Sequence, residues 1–130
     1  DPEAPKYLGQ ALQDWNKPTQ QEDSTGPVTV LFTDIAGSTA MTQNLGDAVA
    51  QQVVRAHNRI VREALTKYTG KEIKHTGDGI MASFSTTSNG VAGAMEIQVE
   101  TAKHNVNNPD LPLHIKIGIN ADGSWLTIRP

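Results

Sequence analysis

One stretch constrains the fold more than any other. Val49, Val53, Val54, His57, Ile60, Val61, Ala64, Leu65 and Tyr68 recur at three- and four-residue steps, which lays one apolar stripe along a single helix. Such a helix must bury that stripe against another layer. The runs on either side are β-prone: Val28 to Thr33 before it, Lys71 to His75 and Ile80 to Phe84 after it. The first run is mostly apolar and is expected to be covered on both faces.

Local signals complete the pattern. Gly37-Ser38-Thr39 opens a helix, with Ser38 or Thr39 as its N-cap. Gly70 stops the long helix. Thr76 to Gly79 reads as a tight turn joining two strands into a hairpin. Thr86 or Ser88 caps a third helix running through Val91, Ala94, Met95, Val99 and Ala102 to Val106, with Met81 and Met95 expected in the core. After a turn at Asn107 to Asp110, Leu113, Ile115, Ile117 and Ile119 alternate with His114, Lys116 and Gly118 as a strand. The order strand, helices, hairpin, helix, strand predicts an α+β fold. It is a ferredoxin-like split βαββαβ sandwich, an antiparallel sheet with helices on one face. Residues 1–26 read as a linker or N-terminal arm, 27–120 as the core, and 121–130 as a tail with no assignment.

Charge and composition narrow the chemistry. The net charge is −3 and the basic residues are scattered, which argues against a nucleic-acid surface. An anionic nucleotide stays open, because a bound metal can supply the positive charge. There is no Cys, so thiol nucleophiles and Cys-ligated metals are excluded. No stretch approaches the roughly 20 apolar residues of a membrane span. A cytoplasmic location is expected, in a chain that lacks a starting Met and reads as part of a longer protein that is membrane-anchored or multidomain.

Two aspartates stand out: Asp34 at the end of the first strand run, in VTVLFTDIAGST, and Asp78 at the hairpin tip, in KEIKHTGDGIMASF. Singly, an Asp after a strand is often a helix cap, and Gly-Asp-Gly is often a turn. In the expected topology, however, the first strand lies beside the hairpin, which brings both carboxylates together. Two carboxylates facing a polyphosphate make sense only around divalent cations, and oxygen ligands suit Mg²⁺ or Mn²⁺. The carbonyl of Ile35 adds a further oxygen. Amides of Gly37, Ser38 and Thr39 at a helix N-terminus can hold phosphate oxygens. Lys74 can reach a base or a phosphate, or be a solvated edge lysine. His57 falls on the apolar stripe and reads as a packed helix histidine. His75 is open to either reading, and His104 and His114 have no partner at metal spacing. There is no Ser-His-Asp set, P-loop or zinc spacing.

FTDIAGST, a long helix and then KHTGDGIMASF resemble the class III adenylyl/guanylyl cyclase catalytic domain of the bacterial type, from Val28 to Asn120. The resemblance implies a head-to-tail homodimer with composite sites that turn a nucleoside triphosphate into a 3′,5′-cyclic nucleotide and pyrophosphate. It implies two Mg²⁺ or Mn²⁺ per site, held by Asp34, Asp78 and the Ile35 carbonyl. Lys74 matches the base-recognising lysine of adenylyl cyclases, where guanylyl cyclases usually carry Glu, which implies ATP rather than GTP. Beyond GIN the family continues with elements that supply a second base-recognising residue, a ribose-orienting Asn and a transition-state Arg. Ala121 to Pro130 does not match them, so the chain reads as truncated at its C-terminus and is expected to turn over little by itself. Neither Asn120 nor Arg129 is taken for a missing group. The alternative is a non-catalytic dimerising or nucleotide-binding regulatory module of the same fold. A third reading is a diguanylate cyclase or polymerase-palm relative, which share strand-borne metal aspartates; the absence of a GG[DE]EF-type hairpin speaks against the diguanylate cyclase.

Overall fold

A computed structural model of the chain describes residues 28–121 and 123–128. The arm at residues 1–26, and Arg129, lie outside the described residues. The elements are β1 (Thr29–Ile35), α1 (Ser38–Leu45), α2 (Asp47–Lys67), β2 (Lys71–His75), β3 (Gly79–Phe84), α3 (Thr87–Asn107), β4 (Ile115–Ala121) and β5 (Ser124–Ile128). They build one five-stranded sheet in the order β2-β3-β1-β4-β5. Every neighbouring pair is antiparallel. This is the expected α+β architecture, with β1 central and the helices on one face.

The helix stripe explains the layering. α2 buries Ala50, Val53, Ala56, His57, Ile60, Val61, Ala64 and Leu65 against Leu31 and Ile35 of β1, Ile80, Ala82 and Phe84 of β3, and Ile115, Ile117 and Ile119 of β4. Each such Leu or Ile contributes roughly 1.5–3 kcal/mol by leaving water. The Phe84 ring fills a slot made by three glycines. A methyl group at Gly70, Gly90 or Gly93 would lie 2.7, 3.6 or 3.0 Å from it. Gly70 is thus required for close approach. The left-handed residue that ends α2 is instead Thr69, at φ 57°. Phe84→Ala is expected to cost about 3–5 kcal/mol, read as a lower denaturant midpoint at unchanged slope.

Three local expectations are corrected. α1 is capped by Gly37 in the left-handed region (φ 74°), with no side-chain cap hydrogen bond, because the Ser38 hydroxyl is used elsewhere. α3 begins under a Thr86 cap whose side chain accepts from Asn89 N–H, as expected, but it buries Gly90, Gly93, Ala94, Ile97 and Thr101. Met95 and Val99 are 61% and 50% exposed, so Met95 is not a core residue. The small residues let α3 lie close to the sheet, and that rotates the larger apolar side chains outward. Finally, the segment after Asn120 is not featureless: β5 pairs with β4 from Ser124↔Ala121 to Ile128↔Ile117.

Candidate active site

Direct cross-strand partners share a face of a sheet. The isoleucines of β4 and Leu31 and Ile35 of β1 face the helices. Val30, Phe32 and Asp34 of β1, Lys116, Gly118 and Asn120 of β4, and Met81 and Ser83 of β3 therefore face the other way. Asp34 stands on this face, away from the described helices, opposite Gly79 on one side and Lys116 on the other. Asp78 lies in the β2–β3 turn just beyond. Its carbonyl accepts from Ile35 N–H at 2.9 Å, so the ladder carries the two aspartates at one end of the β1–β3 pair.

The side chains around Asp78 are hydroxyls. Ser38 Oγ donates to Asp78 Oδ2 at 2.8 Å and Thr76 Oγ1 to Oδ1 at 3.4 Å. This is where the Ser38 hydroxyl goes, and it ties the start of α1 to the hairpin. The side chain of Thr39 lies outside the described residues. A cleft of about 250 Å³ between α1, α2 and the Gly77-Asp78 turn adjoins the carboxylate. That is below the usual size of a drug-sized ligand pocket.

The charge of the pair weighs on Asp34. Burial pushes the Asp34 carboxyl above its ordinary value, and the negative charge of Asp78 pushes it further; Lys116 pulls the other way. A cation held at the pair would offset the Asp78 charge that hinders the ionisation of Asp34. Among the described residues no group of three His, Cys, Asp or Glu could hold a metal. Two carboxylates and a backbone carbonyl form an oxygen-only, sparse set. It fits a hard cation such as Mg²⁺, which keeps waters and phosphate oxygens as its other ligands.

Lys74 joins this face through an irregularity. Glu72 pairs with Ala82 and Lys74 with Met81, with a register shift between them at Ile73. In a regular strand Lys74 would share the face of Glu72. The bulge reverses that. Glu72 stays on the helix side, where Arg62 Nε donates to its carboxylate at 2.8 Å and His75 Nδ1 lies 3.6 Å away. Lys74 turns to the side of Phe32, Met81 and Asp34. His75 therefore belongs to a surface cluster, away from the aspartates. Lys116 was missed as a site residue; its place opposite the core isoleucines of its own strand was the available signal. Asn120 sits on the same face but pairs with Val30, several rungs from Asp34. Its Nδ2 is buried without a partner.

Two aspartates thus stand at one end of a ferredoxin-like sheet, with Lys116 opposite Asp34 and Lys74 on the same face, opposite Met81. The model of the adenylate and guanylate cyclase catalytic domain matches residues 20–126, and the chain belongs to that family. It is 38% identical over 93 residues to receptor-type adenylate cyclase B of Leishmania donovani, which covers 68% of this chain and 7% of the relative. The adenylate cyclase of Lachancea kluyveri is 34% identical over 76 residues, 58% of this chain and 4% of that protein. The chain therefore spans only a small part of these relatives. Among solved structures, a bacterial light-regulated adenylyl cyclase superposes with a TM-score of 0.63 at 26% identity, over 78% of this chain and 54% of the other. The guanylyl cyclase Cya2 gives 0.65 at 24%, over 78% and 56%; at that identity the likeness shows the fold alone. The relatives include protozoan and yeast proteins, so the likeness does not single out the bacterial type. Among the described residues no helix is long and apolar enough to cross a membrane.

Proposed function

We propose that this domain converts ATP to 3′,5′-cyclic AMP and pyrophosphate, with Asp34, Asp78 and the Ile35 carbonyl holding two Mg²⁺ or Mn²⁺ ions and a second copy of the domain completing the site. The observation that carries the reading is the placement of Asp34, opposite Gly79, and of Asp78 at the same end of the β1–β3 ladder, closed by the Ile35 N–H to Asp78 O bond of 2.9 Å. When bound, the ions would activate the ribose 3′-oxygen and neutralise the leaving pyrophosphate.

The chain's own groups would do the positioning. Phe32 and Met81 offer an apolar floor beside Lys74, whose ammonium can donate to the acceptor edge of adenine. Lys116, across from Asp34, can take up phosphate charge. The backbone amides of Gly37 and Ser38, at the start of α1, can donate to phosphate oxygens. Ser38 must then choose between Asp78 and the ligand. The ribose 3′-hydroxyl would lose its proton to solvent as its oxygen bonds the α-phosphorus, the bond from that phosphorus to the bridging oxygen would break, and pyrophosphate would depart.

The test is equilibrium binding of ATP to the 130-residue chain with and without Mn²⁺. Binding that needs Mn²⁺ and is lost in Asp34→Ala supports the site; binding indifferent to both overturns it. Tight metal-dependent binding in a complete dimeric protein that never forms cyclic AMP would favour the regulatory module instead. Lys74→Glu is expected to shift the ratio of ATP to GTP affinity by about tenfold or more against ATP. An unchanged ratio would remove Lys74 from the base site.

A further inference from the structure

His57 is 0% exposed in the middle of α2. A buried imidazole is costly unless both nitrogens are satisfied. Here Nδ1 lies 2.8 Å from Asn58 Oδ1 and Nε2 lies 2.9 Å from Thr33 Oγ1. The Asn58 carbonyl oxygen, in its assigned orientation, can only accept. Nδ1 therefore carries the proton, and Nε2 accepts from the Thr33 hydroxyl. The Thr33 hydroxyl has a second, longer acceptor in Ile80 O at 3.4 Å; with its proton on the shorter bond to His57, Oγ1 accepts from Ile80 N–H at 3.1 Å. The chain of bonds runs from the helix layer into the sheet and ends on the backbone of β3.

Its location gives it a use. Thr33 faces Ile80, and the next rung is Asp34 facing Gly79. One step further, Ile35 N–H donates to Asp78 O. The Thr33 carbonyl is packed so closely on Gly79 that a methyl group there would come within 2.4 Å of it. A Leu or Met would fill the space of His57 at no polar cost. An imidazole among apolar neighbours is explained by what it holds.

We infer that His57 is a positioning residue: through the Thr33 hydroxyl it holds β1 against β3 at the spacing that sets Asp34 and Asp78 for a shared divalent cation. Its purpose rests on the metal reading above, while its geometry rests on the hydrogen bonds alone. Thr33→Val deletes the hydroxyl at nearly constant shape. His57→Leu removes the acceptor and keeps the bulk. His57→Gln offers an amide oxygen where Nε2 was.

The experiment uses the full 130-residue chain and two readouts. In metal-free protein, Thr33→Val and His57→Leu are expected to speed amide hydrogen exchange at Ile35 and Ile80 about tenfold relative to the amides of the β1–β4 ladder. His57→Gln is expected to restore protection. In the second readout, Mn²⁺ affinity falls about tenfold or more in the first two variants and recovers in the third. A uniform rise in exchange across the sheet, or a Gln variant no better than Leu, would reduce His57 to core packing and overturn the inference. Should His57→Leu fail to fold, Thr33→Val carries the same test. Should the wild type show no Mn²⁺ binding that depends on Asp34, the metal reading fails separately, and the local exchange pattern decides the clamp.

Discussion

Asp34→Ala and Asp78→Ala are each expected to abolish divalent-cation binding and to lower turnover of the complete enzyme by about a thousandfold, while circular dichroism stays that of the wild type. The stability of the metal-free protein gives a sharper signature. The folded Asp34 carboxyl titrates above its ordinary value, first because it is buried and then because of Asp78. A raised acid pKa means that its contribution to stability is complete below the unfolded value and is lost as pH rises through the folded one. At neutral pH the charged Asp34 therefore weighs against folding. Asp34→Asn should raise Tm at pH 7 without metal, and the gain should shrink as pH falls through the raised folded value and be absent below the unfolded value of about 4. Adding Mn²⁺ should stabilise the wild type by mass action and leave the variant unmoved. A wild type whose Tm ignores Mn²⁺ would remove the cation site.

Gly79→Ala is expected to be a damaging single methyl addition in the β1–β3 ladder. Its Cβ would lie 2.4 Å from the backbone oxygen of Thr33. No side chain can rotate away from that contact, so the strands must part. Overpacking of this kind costs about 1–3 kcal/mol, measured by urea unfolding. The loss should extend to function, because the same rung precedes the Ile35 to Asp78 bond. Mn²⁺ affinity should fall together with stability. Gly77→Ala is the matched control: it sits in the same turn with no atom within 4 Å of its added methyl, and should change neither. Equal effects at the two positions would show that the turn's general flexibility, and not the close approach at Gly79, is what matters.

Much of this was legible beforehand for a physical reason. Helix and strand periods are written locally, so the stripe of α2, the apolar run of β1 and the alternation of β4 could be read directly. The two aspartates were legible because each ends or interrupts a strand beside small residues. Other features were not legible. Nothing near α3 says that Gly90 and Gly93, packed on Phe84, will turn Met95 and Val99 outward. Nothing near Trp125 says that it will pair with Asn120. Both outcomes depend on elements far away in the chain.

The sequence by itself determined the order of elements, the helix that carries the core, and the two carboxylates at the ends of neighbouring strands. These follow from side-chain period and turn chemistry, which act over a few residues. Only the tertiary structure decided which face each group took. The shift at Ile73 put Lys74 on the face of Met81 and Phe32 instead of that of the helices, the β1–β4 pairing set Lys116 against Asp34, and the packing of α2 on the sheet brought His57 to Thr33. Strand pairing and layer packing are long-range choices. One residue of register reverses a side chain's face, and no local pattern records it.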